Sequence, residues 1–249
     1  MHATPQTSYE HAPVARSPID HRAHPGSIGS RLAAGADAAA CRALDIAVAA
    51  ILLLVLLPVT LIAMVLIKVD SPGPVFYRGR RVGYRGRELR MLKFRKMNDG
   101  ASGAKITAGK DHRLTRVGVW LTRLKIDEIP QLWHVLTGEM SLVGPRPEDP
   151  EFVAMMRADY EEILQVRPGV TGYSQLAFAE EIDILDPDDP LAHYVGRLLP
   201  QKLGLDKMYA RDHSLWLNLR ILAWTVAAVI LRRAVAVNRD TGETNLRMR

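Results

Sequence analysis

The sequence predicts a mostly helical α+β chain with one apolar membrane helix, and three observations predict it. Ile46 to Ile67 is a run of 22 residues without a charge, long enough for a bilayer helix, and Pro58 lies inside it. Directly after it, from Lys68 to Glu128, 16 Lys/Arg stand against 6 Asp/Glu, a local balance of +10 in a chain of net charge +6. The remainder alternates helical-period apolar stripes with short extended runs and Gly/Pro-rich turns. The chain has 249 residues, 48% of them hydrophobic, which excludes disorder over its whole length. Its single cysteine, Cys41, excludes intramolecular disulfides and multi-cysteine metal sites.

Residues 1–40 read as a disordered tail, broken by Pro5, Pro13, Pro18 and Pro25. His2, His11, His21 and His24 lie there without metal-ligand spacing. Residues 41–69 form the membrane segment. A single spanning helix accounts for its length. Pro58 near the middle, with Arg31 and Arg42 before and Arg78, Arg80 and Arg81 after, accounts for a helix that bends and returns to the same face. Both readings stay open on the residues alone, because proline is tolerated in many spanning helices.

Ser71-Pro72-Gly73-Pro74 stops the apolar helix. Val75-Phe76-Tyr77 and Leu89-Arg90-Met91-Leu92 read as short strands, with Gly79, Gly83 and Gly86 between them. Neither these glycines nor Gly103 to Lys110 fit a dinucleotide or phosphate-loop motif. Val117, Trp120, Leu121 and Leu124 recur at helical spacing, and a second helix starts near Asp127, with Pro130 in its first turn and Gly138 as its stop. Two rigid turns follow, Val143 to Pro147 and Arg167 to Gly172, with a polar helix over about 149–164 between them. Residues 180–190 read as an acidic solvated loop, 191–214 as an amphipathic helix, and Ile221 to Leu231 as a helix lying at the interface. Residues 236–249 read as a frayed C-terminal tail.

Two groups of residues stand out chemically. Asp127-Glu128 opens a helix inside the basic region. Adjacent helical residues point in different directions, so the two carboxylates would have separate tasks, one as nucleophile or base and the other as metal ligand. An arbitrary Asp-Glu pair in that position more often caps the helix and offsets its dipole. Arg78, Arg80, Arg81, Lys93, Arg95 and Arg146 form the second group. Such cations stabilise a transferring phosphate or attract anionic lipid head groups. Arg146, set between Pro145 and Pro147, fits the first role better.

Six ordered motifs together resemble a known family. They are Asp70-Ser71-Pro72-Gly73-Pro74-Val75-Phe76-Tyr77, Arg81-Val82-Gly83, Lys93-Phe94-Arg95-Lys96-Met97, Asp127-Glu128-Ile129-Pro130-Gln131-Leu132, Gly138 to Glu148, and Arg167-Pro168-Gly169-Val170-Thr171-Gly172. Over about residues 41–235 the chain resembles the bacterial sugar transferases, the monotopic polyprenyl-phosphate phosphoglycosyl transferases, in their small form. The resemblance implies transfer of a sugar-1-phosphate from a UDP-sugar to polyprenyl phosphate with release of UMP, at the start of bacterial exopolysaccharide, capsule, O-antigen or glycoprotein glycan synthesis. It implies Asp127 as the nucleophile of a covalent phosphosugar intermediate and Glu128 as a magnesium ligand. Arg80, Lys93, Arg95, Pro145, Arg146, Pro147, Thr171 and Gln175 become the implied substrate-binding set. Residues 41–69 become a re-entrant helix broken at Pro58, and 70–235 a catalytic domain on the cytoplasmic face of the inner membrane. Membrane lipids are implied partners and nucleic acid is not; a homo-oligomer is compatible with all of this.

The sequence departs from the family pattern in places. Cys41-Arg42 stands for the common Lys-Arg, Lys96 for Thr or Ser, Thr122 for an arginine, and Lys125-Ile126 for Ser-Leu. The competing function is a non-catalytic membrane-associated scaffold of the same fold that uses the basic region for lipid binding. Intact Asp127, Glu128 and Arg146 argue against it.

Overall fold

The computed structural model describes residues 28–101, 111–179, 184–186, 188–229, 235–238 and 241–246. Helix α1 spans Ile28–Val55 and α2 spans Leu57–Asp70. The interruption falls at Leu56, with Pro58 as the second residue of α2. Proline lacks the amide hydrogen that would continue the ladder, and its ring crowds the carbonyl four residues earlier, so the break follows from one residue. The stretch Gly35–Val55 is long and apolar enough to cross a membrane, by length and composition. The tail expected over 1–40 is already helical from Ile28, while the expectation for residues 1–27 lies outside the described residues.

Both ends of this broken helix dock on the same body. On the α1 side, the Asp37 carboxylate accepts from the Leu215 amide at 3.2 Å. Arg42 donates to the carbonyls of Val135 and Leu136 at 2.6 and 2.9 Å. Buried Asp45 accepts from the Ser141 hydroxyl and the Leu142 amide at 3.0 and 2.9 Å. On the α2 side, Asp70 accepts from the Val117 amide at 2.9 Å, and Ala63 and Ile67 bury against Phe94 and Leu121. Between these anchors the apolar side chains around the break face outward, with Leu54 73% and Val65 62% exposed.

The two expected strands lengthen into an antiparallel hairpin, β1 Phe76–Val82 and β2 Glu88–Phe94, in the register Phe76↔Phe94 and Val82↔Glu88. Side chains alternate along a strand, so Leu89, Met91 and Lys93 of β2 share one face. Leu89 and Met91 are buried in the main core, and Lys93 is carried inward with them. Helix α3, Arg116–Arg123, is capped by Thr115, whose hydroxyl accepts from the Gly118 amide at 2.9 Å. A 3-10 helix over Ile126–Gln131 leads into α4, Leu132–Thr137, and Gly138 ends it at φ 85°, the left-handed stop that the sequence implied.

The two rigid turns meet each other. Strand β3, Ser141–Val143, pairs in parallel with β4, Gly169–Thr171, in the register Val143↔Thr171. A Cβ on Gly144 would lie 2.4 Å from the Arg167 carbonyl oxygen, and one on Gly169 would lie 2.1 Å from the Gly144 nitrogen, so both turns need glycine where they cross. The helix expected over 149–164 is two, α5 Pro150–Met155 and α6 Arg157–Ile163, parted at Met156. Then follow α7 Tyr173–Ala177, α8 Pro190–His193, a π-helical turn Tyr194–Leu198, α9 Leu199–Asp212 and α10 Leu215–Val229. Residues 180–183 and 187 of the acidic segment lie outside the described residues, and within the rest Asp189 caps α8, its carboxylate accepting from the Ala192 amide at 3.0 Å. The end of the chain is not frayed throughout. Strands β5 Val235–Val237 and β6 Thr244–Leu246 pair antiparallel, Val235 and Val237 join the main core, and Gly242 packs under Tyr173 and Met208. The apolar residues that align on helices and the strand faces close a main core and a smaller cluster beside α2, while Leu54, Val55, Leu57 and Leu61 around the break stay exposed.

A polar network is buried within that core. Asp206 of α9 is sealed from solvent, and its Oδ1 has no hydrogen-bond partner. Burial pushes its carboxyl up to about 7, against the pull of Ser174, Lys202 and Arg146 and with the push of Glu148. The Tyr194 hydroxyl donates to Glu148 at 2.5 Å, and Lys202 stands 4.8 Å from the Tyr194 ring centroid. A carboxyl raised in the folded state stabilises it fully below its ordinary value of 3.8 and loses that contribution as pH rises through about 7. Asp206→Asn cannot ionise and should escape that loss. Thermal melts should show the variant gaining on wild type between pH 5 and pH 8, by about 3 kcal/mol. A difference between the two proteins that is constant across that range would refute the assignment.

Candidate active site

Asp127 and Glu128 lie on the 3-10 helix between α3 and α4. The chain turns into it at Lys125, a left-handed residue at φ 58°, ψ 18°. A non-glycine residue there stores on the order of 1–3 kcal/mol of strain, which the surrounding packing must hold. Pro130 suits this tight turn, where its missing amide leaves no gap in an established α-ladder. Successive residues of a 3-10 helix point about 120° apart. The two carboxylates accordingly meet different partners, as the sequence implied.

Asp127 is 2% exposed, and the Lys96 ammonium stands 3.1 Å from its Oδ2. Glu128 Oε1 receives the Lys93 ammonium at 2.9 Å and Arg146 Nη2 at 2.7 Å. Three cations thus face two carboxylates. Burial pushes the Lys93 ammonium down to about 8 and Arg146 adds to this, while Glu128 and Asp127 pull it back. Burial works against ionisation of Glu128, but Arg146 and Lys93 outweigh it and hold the carboxyl well below the usual carboxylate range.

Each cation arrives by a different route. Lys93 comes from the inward face of β2. Lys96 follows the strand, its carbonyl accepting from the Thr115 amide at 3.0 Å. Arg146 comes from the turn after β3, whose backbone is fixed by Gly169 N–H to Pro145 C=O at 2.8 Å and Gly144 N–H to Thr171 C=O at 2.9 Å. Gln175 adds its amide group to the Gly144 carbonyl at 3.3 Å. Pro145 and Pro147 are buried on either side of Arg146 and restrict its backbone.

The structure brings together Asp127, Glu128, Lys93, Arg146 and the two prolines, and it sends the other four implied substrate-binding residues elsewhere. Arg80 is exposed on the hairpin and pairs with Glu88 at 3.2 Å. Arg95 is buried and donates to the carbonyls of Pro72 at 2.5 Å and Ser71 at 2.8 Å, clamping the turn after α2. The Thr171 hydroxyl meets that of Thr225 on α10 at 2.7 Å. Gln175 supports the arginine turn from behind. In this arrangement Arg95, Thr171 and Gln175 tie together other parts of the fold, and Arg80 lies on the hairpin surface. Sequence reasoning marked Lys96 only as a departure from a pattern. Its position, three residues after Lys93 and just past a strand end, gives no periodic signal that it reaches Asp127.

Lys93 and Arg146 both reach Oε1 of Glu128. Among the described residues there is no group of three or more His, Cys, Asp and Glu side chains fit for a metal. Magnesium is content with one or two carboxylates when phosphate oxygens and water complete its shell. The oxygens of Asp127 and Glu128 fit an ion held in that way. The site as a whole, a buried and a half-buried carboxylate ringed by cations, suits an anionic phosphorus centre attacked by a carboxylate.

The family model described as bacterial sugar transferase matches residues 36–232. A UDP-N-acetylgalactosamine-undecaprenyl-phosphate N-acetylgalactosaminephosphotransferase of Aeromonas hydrophila is 36% identical over 87% of this chain and 49% of its own length. An undecaprenyl-phosphate glucose phosphotransferase of Komagataeibacter xylinus is 37% identical over 77% of this chain and 36% of its own. The chain thus spans half or less of these two relatives. It aligns with 95% of the exopolysaccharide production protein PSS of Rhizobium leguminosarum bv. phaseoli, at 36% identity over 77% of this chain. With the match running from the first anchored turns of α1 to the end of α10, the chain belongs to the bacterial sugar transferase family.

Proposed function

We propose that the chain transfers a sugar-1-phosphate from a UDP-sugar to polyprenyl phosphate through a covalent intermediate on Asp127. One observation carries the reading: a buried Asp127 and half-buried Glu128 held by Lys93, Lys96 and Arg146 within about 3 Å, in a body that also anchors an exposed apolar helix. An Asp127 oxygen attacks the phosphorus next to the sugar, and the electron pair of the breaking P–O bond leaves on UMP. A polyprenyl phosphate oxygen then attacks the same phosphorus and returns the carboxylate. Splitting one transfer into two displacements lets a soluble donor and a lipid acceptor use one site in turn. Lys93 and Arg146 fix Glu128 beside the nucleophile and present positive charge to the diphosphate. Magnesium held through Glu128 would screen that diphosphate from the attacking anion.

Relatives of equal similarity carry N-acetylgalactosamine and glucose in their names, so the donor is sought across a panel of UDP-sugars. The exopolysaccharide names among the relatives support a role at the first step of a secreted polysaccharide. Mass spectrometry of wild type mixed with UDP-sugar alone should show a phosphosugar adduct on Asp127, with UMP released. Asp127→Asn should form no adduct and no product, and Glu128→Gln should be severely impaired. An adduct elsewhere, or full activity in Asp127→Asn, would reject the reading; lipid binding without any UMP release in wild type would favour the scaffold. Arg146→Ala removes one charge-assisted contact, on the order of 2–4 kcal/mol in the transition state or roughly 30- to 1000-fold in rate. Its membrane association should be unchanged, as flotation with liposomes would show.

The same body supports a re-entrant topology. Asp37, Arg42 and Asp45 tie down one arm of the broken helix, and Asp70 and Ile67 tie down the other, with the exposed apolar break between them. A straight span would carry its ends about 30 Å apart to opposite faces. We assign both arms to the cytoplasmic face of the inner membrane. In a Cys41→Ser background, Gly35→Cys and Glu161→Cys should both resist an impermeant thiol reagent in intact cells and both react after lysis. Labelling of one alone from outside would reject the hairpin.

A further inference from the structure

We infer that Lys96 is a catalytic residue of the first displacement, an ammonium that rests on the Asp127 carboxylate and passes to the phosphoryl oxygens as the Asp–P bond forms. The inference rests on the proposed reaction and goes beyond it, because it assigns a role to a lysine standing where the family pattern has Thr or Ser. The ion pair is short, 3.1 Å from Nζ to Oδ2, and its two sides differ: the Asp127 side chain is 3% exposed and the Lys96 side chain 25%. Among the described ion pairs, Lys96 is the partner of Asp127, whereas Lys93 and Arg146 are both committed to Glu128. The more accessible member of the nucleophile's own pair is therefore a cation, and a phosphate drawn to Asp127 meets it.

The backbone around Lys96 is held on several sides. Its carbonyl accepts from the Thr115 amide at 3.0 Å, and α3 crosses so closely that a Cβ on Gly118 would lie 1.9 Å from that oxygen. The Arg95 amide donates to the Val75 carbonyl at 2.9 Å, and Met97 bridges to Leu114. A fixed backbone under a flexible four-carbon stem lets the ammonium shift from one oxygen to another without moving the chain. The charges support such a shift. Before the donor binds Lys96 faces one negative charge, the Asp127 carboxylate. Attack makes the P–O bond to Asp127 and breaks the bond to UMP, which leaves as a dianion. The sugar phosphoryl group on Asp127 then carries one negative charge on its free oxygens. With donor bound Lys96 faces the carboxylate and the reacting phosphoryl charge, after attack it faces the one charge left on the phosphoryl oxygens, and no proton needs to move.

The test compares wild type with Lys96→Ala, Lys96→Met and Lys96→Thr, reading the single-turnover rate of adduct formation on Asp127 with a UDP-sugar and a thermal melt for each. Loss of the ammonium should slow adduct formation by about 30-fold or more, with folded protein retained. Millimolar propylammonium should restore part of the rate in Lys96→Ala but not in Lys96→Met, whose side chain fills the space. If Lys96→Ala melts far below wild type, Lys96→Thr takes its place in the rescue. Adduct formation at the wild-type rate in Lys96→Met, or a slowed and folded variant that propylammonium leaves unchanged, would overturn the inference while leaving Asp127 as nucleophile. A wild-type chain that forms no adduct would overturn the underlying reading as well.

Discussion

The rest of the structure depends on holding two adjacent carboxylates, one buried and one half-buried, against three cations. A buried carboxylate without a partner is strongly disfavoured, and it either takes up a proton or draws in a cation. Asp206 shows the first outcome, with its carboxyl pushed up to about 7. Glu128 shows the second, held well below the usual range by Arg146 and Lys93. The difference between these two acids of one chain lies in the cations delivered to them. Glu128 has two at hydrogen-bond distance, whereas Asp206 has an oxygen with no partner at all.

Delivering three cations to one 3-10 turn explains features that otherwise look unrelated. Lys93 requires β2 to place a charged side chain on the face it shares with Leu89 and Met91. Arg146 requires the β3 turn to be rigid, which the paired β3 and β4 strands, the flanking prolines and Gln175 provide. Lys96 requires α3 to lie directly on its backbone, which Gly118 allows. Arg95 and Asp70 tie the end of α2 to the same region through Ser71, Pro72 and Val117. The apolar helix and the carboxylate site are thus parts of one rigid neighbourhood, which suits the proposed transfer between a water-soluble donor and a membrane-held acceptor.

Much of the fold could be read from the residues because local rules decide it. The break next to Pro58 and the stop at Gly138 follow from backbone chemistry at single positions, whereas the helix expected from Asp127 opens as a 3-10 turn and becomes α-helical only at Leu132. The apolar stripe of α3 and the hairpin around Gly83 and Gly86 follow from periodicity and turn chemistry. Local rules failed where long-range pairing decides. The two rigid turns gave no sign that they would form a parallel strand pair, and the C-terminal segment gave no sign that Val235 and Val237 would fill the core. The helix expected over 149–164 divides at Met156, where no proline or glycine announces a break.

For the site, the sequence by itself determined the composition: an Asp-Glu pair at a helix start, a basic region around it and an arginine locked between prolines. Motif order placed these in a family, because residue type and spacing survive in a linear text. Only the tertiary structure decided which cations act at the carboxylates. Lys93 and Lys96 lie near one another in sequence with Arg95 between them, yet the two lysines face the carboxylates and the arginine clamps a turn. Arg80 carries the same charge in the same region and faces solvent. The physical reason is that a cation's role depends on direction and burial. Those are set by strand parity, by the crossing of α3 and by the meeting of two turns some 25 residues apart, none of which is a property of the residue itself.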